Sequence, residues 1–150
     1  MSISTKHQDI LATWMCNRIG LAPTAQLQCI GRLNAAGAIM GVVGFDGYNG
    51  ASVMMHCAGE GNWLSRSMLW AIFDYPFRLM QCNVVIGLVP SGNHAALRLN
   101  KHVGFKLATV LEGAHPDGAL LLLTMRRDEC RYLPQIGGVN TPVQEHALLQ

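Results

Sequence analysis

Apolar residues in the first twenty positions recur at helical spacing, with Ile10, Leu11, Trp14, Met15 and Ile19 on one stripe. Thr5 and Gln8 have the spacing of a capping box ahead of that stripe, and Gly20 supplies a stop before Pro23. The pattern then changes to short runs separated by glycine turns. Gln26 to Leu33 reads as a strand with Leu27 and Cys29 on one side, and Asn34-Ala35-Ala36-Gly37 as a turn. Ala38 to Phe45 is a second strand, Asp46 to Gly50 another turn, and Ala51 to Ala58 a third strand. Three strands joined in this way predict an antiparallel meander.

Gly59 to Leu64 is a loop, after which Ser65 is placed to cap a helix running to about Met80. Leu69, Ile72, Phe73, Phe77 and Met80 mark its buried face, and Pro76 predicts a kink near Ile72, whose carbonyl its ring opposes. Asn83 to Val89 is a fully apolar strand, a pattern that implies burial on both faces. Pro90-Ser91-Gly92 leads into a helix from about Asn93 to His102, closed by Gly104. Phe105 to Glu112 and Ala119 to Met125 are strands around a Gly113–Gly118 hairpin. The order α-β-β-β-α-β-α-β-β describes a mixed α/β (α+β) sheet, mostly antiparallel, with a strand–helix–strand crossover in its middle. Residues 1–133 form one domain; the tail 134–150 carries Gly137-Gly138 and Pro142, and composition does not decide its order.

Composition narrows the classes. With 150 residues, half of them apolar and only 13% charged, the chain is long and apolar enough for a core and is not intrinsically disordered. A net charge of +2 without a basic run gives no footprint for nucleic acid; Arg126-Arg127 is followed at once by Asp128-Glu129. Apolar runs stop well short of a membrane span, and Lys6, Asp9 and Arg18 interrupt any secretory signal, so a cytoplasmic protein is expected. Cys16, Cys29, Cys57, Cys82 and Cys130 contain no CxxC pair and read as reduced, buried thiols, with no metal site.

One segment carries a resemblance. Asn93, Ala96, Leu97, Leu99, Gly104 and Phe105 match, in spacing, the strand, N-x-x-A, helix and G-F segment of the GNAT superfamily of acyl-CoA-dependent N-acetyltransferases. With three strands upstream and a hairpin downstream, the resemblance spans residues 26 to 133. Phage and prophage GNAT-like proteins look similar in further motifs: His56 in the central strand, Trp63-Leu64-Ser65-Arg66, Phe73-Asp74-Tyr75-Pro76-Phe77 and Glu129-Cys130-Arg131-Tyr132-Leu133. The GNAT resemblance implies helices on both faces of the sheet and a splayed central strand pair. It also implies acetyl-CoA as cosubstrate, an amine as acceptor, and a homodimer as one assembly.

By that resemblance the cofactor tether pairs with Met55, Cys57 and Ala58, and the pyrophosphate sits at the following helix start, near Trp63, Leu64, Ser65 and Arg66. Asn93 bonds the cofactor arm or caps its own helix; Trp63 stacks near adenine or staples the helix entry. Two departures stand out. Leu64-Ser65-Arg66 replaces the family's glycine pair, and Asn100 occupies the position of a tyrosine that protonates the departing thiolate; an amide holds no such proton. His56 is the one group in mid-strand suited to accept a proton near neutrality, unless it is structural. Cys57 beside it points to the opposite face, which disfavours a nucleophile pair. His94, His102 and His115 read as surface residues, and Glu112, Asp117 and Asp74 as solvated charges or acceptor-side groups. Two functions follow: direct acetyl transfer to an amine, or a phage-associated GNAT-fold protein with a structural or interaction role that retains CoA binding.

Overall fold

In the computed structural model, residues 1–133 are described, and their elements run β1 (Ser2–Ser4), α1 (Gln8–Ile19), β2 (Gln28–Leu33), β3 (Ile39–Asp46), β4 (Ser52–Gly59), α2 (Arg66–Asp74), β5 (Val84–Pro90), α3 (His94–Val103), β6 (Lys106–His115) and β7 (Gly118–Arg126). All seven strands form one sheet in the order β1-β2-β3-β4-β5-β7-β6, antiparallel except where β4 meets β5. Helix α1 packs on β2, β3 and β4 from one side, while α2 and α3 cover the other. The short β1 pairs with β2 and was not legible in the three residues that form it. The expected tail 134–150 lies outside the described residues.

Glycines decide how α1 seats. A Cβ at Gly31 would stand 2.5 Å from Leu11 Cδ2, and one at Gly44 2.7 Å from Met15 Cε. The bare sheet surface therefore accepts Leu11, Met15 and Cys16, and turns Ile10 and Ile19 out to solvent. The expected stripe is thus shifted. The capping box is also absent: His7 adopts a left-handed conformation at the helix start and makes no side-chain cap. The Gln8 amide instead donates to the carbonyls of Thr5 and Cys29 and accepts the Cys29 N–H at 2.7 Å, standing in for a neighbour where β1 ends.

The proline in the second helix acts later than Ile72. Helix α2 ends at Asp74, and Tyr75–Leu79 form a wider π-helical turn closed by Met80 N–H to Tyr75 O at 2.9 Å. Pro76 has no amide to lose there, so widening relieves its clash without breaking the helix sharply. Asp74 is fully buried and paired with Arg78 at 2.6 and 2.9 Å, which removes it from any acceptor surface. Phe73 centres an aromatic cluster, stacked on Tyr132 at 5.4 Å and flanked by Phe77 and Phe105. Most residues of these further motifs thus occupy packing positions.

Strand β5 also departs from expectation. Val85 and Val89 are buried under the helices, but Val84, Ile86 and Leu88 on the other face are only partly covered. Among the described residues, α1 makes its main contacts with β2, β3 and β4.

Candidate functional site

Strands β4 and β5 share only three rungs, Ser52↔Val84, Val53↔Val85 and Met54↔Ile86. Beyond them β4 remains paired with β3 as far as Gly59, and β5 with β7 as far as Pro90. The two strands therefore part. Individual hydrogen bonds fix which way their main chains face. Asn83 and Val84 donate to Ala51 O, whereas Glu60 donates to Met40 O in β3. Odd positions of β4 thus face β5, and even ones face β3. Arg127 N–H bonds Asn83 O from the β7 side, so even positions of β5 face β4. The Met55 N–H still serves the last rung at Ile86, so the Met55 C=O and both main-chain groups of Cys57 from one side, and those of Leu88 from the other, face a gap with no strand to pair them. Ala58 turns its main chain to Val42 of β3, so it does not line the gap.

Side chains at the gap divide by face. Met55 and Cys57 point to the α2–α3 side, where Trp63, Leu64, Leu99 and Asn100 join them around a cleft of about 20 Å3, room for one water. Burial pushes the Cys57 thiol up to about 11, so it stays protonated and is no nucleophile. Asn100 donates to Ala96 O at 2.9 Å. Trp63 is 6% exposed and lies flat on the Gly41↔Gly59 cross-strand pair; a Cβ on either would fall within 2.3 Å of its ring. That leaves no open face for adenine and makes Trp63 a wall of the cleft.

His56 faces the other side, toward α1. Its Nε2 lies 2.8 Å from Asp46 Oδ1, and Asp46 Oδ2 accepts from Thr24 Oγ1 at 3.4 Å. Both members of the pair are about 15% exposed. With the carboxylate accepting, Nε2 carries the proton and Nδ1 keeps a lone pair. Asp46 and Thr24 were not anticipated. Hairpin arithmetic shows the first: a turn centred on residue 50 pairs Asp46 with Met54 and Gly44 with His56, making Asp46 a diagonal same-face neighbour of His56.

At the open end of the gap, both parallel strands lead into helix N-termini. Ser65 caps α2 by accepting Met68 N–H at 3.1 Å, and Asn93 caps α3 by accepting Ala96 N–H at 3.2 Å. Arg66 is exposed at the first position of α2. Arg32 reaches over from β2 and donates to Ser65 Oγ and to Ser67 Oγ, a placement with no signature in a lone strand arginine. Two guanidiniums and a helix dipole together favour an anion.

No family profile matches the chain, and no curated protein does. Solved structures match its architecture. A point mutant of spermidine N-acetyltransferase SpeG from Vibrio cholerae superposes with a TM-score of 0.72 at 14% identity, covering 89% of this chain and 98% of that one. The same enzyme in complex with CoA and spermine gives 0.63 at 15% identity over 81% and 76%. Campylobacter jejuni N-acetyltransferase PseH in complex with acetyl coenzyme A gives 0.52 at 17% over 69% and 70%. At these identities the likeness is one of architecture: the chain has the GNAT fold of these N-acetyltransferases.

Proposed function

We propose that this protein is an acetyl-CoA-dependent N-acetyltransferase acting on an amine by direct attack. The observation that carries the reading is the parted β4–β5 pair, whose unpaired main-chain groups at Met55, Cys57 and Leu88 match the needs of an amide-bearing tether. The CoA diphosphate then extends to the start of α2, with Ser65, Arg66 and Arg32 as its partners. The cleft holds only one water, so entry of the tether displaces Leu99 and Asn100 on α3, a helix that fully buries only Val103.

Chemistry at the gap runs between its two faces. The neutral amine approaches from the His56 side and its nitrogen bonds to the thioester carbonyl carbon. His56 Nδ1 takes the ammonium proton while Asp46 holds the ring from Nε2. The main-chain N–H of Cys57 stabilises the oxyanion. The C–S bond then breaks, and the thiolate leaves toward Asn100, which offers a hydrogen bond; water supplies the proton.

Thiol release from acetyl-CoA with a panel of amines tests the reading, alongside tryptophan emission during acetyl-CoA titration. Saturable quenching that weakens in Arg66→Ala, and turnover that falls about 10²–10⁴-fold in His56→Ala, support it. No response at millimolar acetyl-CoA overturns it. The narrow cleft and Asn100 favour a second reading, a phage-associated protein that binds CoA without turnover; quenching without thiol release selects that one.

A further inference from the structure

We infer that Arg131 and Tyr132, beyond the last strand, are positioning residues: they brace α3 against α2 and so hold Asn100 where the thiolate leaves. The inference rests on the acetyltransferase reading and adds to it the residues that set the geometry of the cleft.

The brace starts from a held point. After β7 the chain makes a short 3-10 turn, Arg127–Glu129. Arg127 donates to Cys82 O at 3.0 and 2.7 Å, and Glu129 pairs with Lys106 at the start of β6. Two neighbouring side chains then go to different helices. Tyr132 stacks on Phe73 of α2, with ring centres 5.4 Å apart and planes 11° from parallel. The Arg131 guanidinium donates to His102 O in the last turn of α3. Arg131 Nε also donates to the Tyr132 hydroxyl at 3.1 Å, which joins the two arms.

These anchor points belong to opposite walls of the cleft at the strand gap. Phe73 lines it from α2, and Leu99, Asn100 and Val103 line it from α3. The C-terminal end of α3 folds back on one carbonyl, since Asn100 O accepts from Gly104 N–H at 3.0 Å and from Phe105 N–H at 2.9 Å. His102 O is among the last four carbonyls of the helix, which have no partner within it. A guanidinium there satisfies that oxygen and complements the negative end of the helix dipole. Asn100 lies two residues from the gripped carbonyl, so releasing the grip frees the turn that carries it. The proposed diphosphate partners Ser65 and Arg66 stand at the opposite end of α2 from Phe73 and keep their places.

The experiment uses the full chain carrying Arg131→Met, which keeps the apolar stem and removes every donor. It measures kcat with the fastest acceptor of the amine panel, and acetyl-CoA binding by tryptophan emission. The expected kcat is about tenfold below wild type, since a misplacement of about 1 Å costs up to about 10²-fold. Acetyl-CoA binding stays within about twofold, because the lost interaction acts on the chemical step. Arg131→Lys, which retains a donor for His102 O, recovers most of the loss. In an Asn100→Ala background Arg131→Met costs nothing further, as a residue acting through Asn100 requires. Tyr132→Phe keeps the stack and cuts the link between the arms; it gives a smaller loss in the same direction and decides the matter if Arg131→Met does not fold. Unchanged kcat in the variants, or an equal loss with and without Asn100, overturns the inference while the acetyltransferase reading stands. A lowered urea midpoint with wild-type kcat also overturns it, assigning the brace to stability alone. A wild-type chain that binds no acetyl-CoA, or binds it without thiol release, removes both.

Discussion

Gly41→Ala is expected to destabilise the protein although the backbone there suits any residue. Neither Gly41 nor Gly59 has a positive φ, and alanine at such a site ordinarily stabilises by about 0.4–1 kcal/mol through the unfolded chain. Here a Cβ at Gly41 would meet Trp63 Cε3 at 2.3 Å. The ring has no retreat, since its other edge sits where a Gly59 Cβ would be, 2.1 Å from Nε1, and the residue is 6% exposed. Overpacking of this kind costs roughly 1–3 kcal/mol, and a clash this deep belongs at the upper end. A net loss of about 2 kcal/mol follows, or roughly 4–8 °C in Tm. Urea unfolding followed by far-UV circular dichroism gives the magnitude independently of tryptophan emission, with the m-value unchanged. The same substitution in a Trp63→Leu background should cost close to nothing, because the ring that it strikes is gone. Gly41→Ala at wild-type stability, or an equal cost in both backgrounds, would refute the packing role assigned to Trp63.

Asp46→Asn should lower kcat at least about tenfold while leaving the acetyl-CoA titration unchanged, because it removes the carboxylate that holds the His56 ring in place; steady-state kinetics across pH separates this from a fold defect. Asp74→Asn should cost about 1–3 kcal/mol in urea unfolding, since it leaves Arg78 with a neutral partner at a fully buried position. Alkaline pH should destabilise the fold. Burial pushes Cys29, Cys57 and Cys130 to about 11 against an ordinary 9.0, so the unfolded chain releases these protons first. Their contribution is intact below pH 9 and is lost as pH rises toward 11. Chemical denaturation at pH 8, 9.5 and 10.5 measures the slope, which should be shallower in Cys57→Ala.

Strand order and crossover were legible because glycine turns and period-two runs mark the meander, and because Asn93 to Phe105 carries a family spacing. Details failed where tertiary contacts overrode local pattern. The face of α1 was set by Gly31 and Gly44 on the sheet, residues far from the helix in sequence. Strand β5 looked doubly buried because apolar composition does not reveal which strands a helix covers most. In the site, alternation separated His56 from Cys57 correctly, but which face held which helix required the whole sheet. Asp46 looked like a turn residue until register made it the partner of His56. Arg32 had no sequence signal, since it acts by reaching across from a neighbouring strand. Trp63 had two readings open, and the Gly41–Gly59 seat selects packing.

Amide hydrogen exchange, read residue by residue with and without saturating acetyl-CoA, tests the parted strands most directly. The N–H groups of Cys57 and Leu88 should exchange readily in the free protein and become protected when acetyl-CoA is present, while Val53 and Val85 in the paired segment stay protected throughout. Full protection of Cys57 and Leu88 before any ligand is added, or no change with acetyl-CoA at millimolar concentration, would contradict the account.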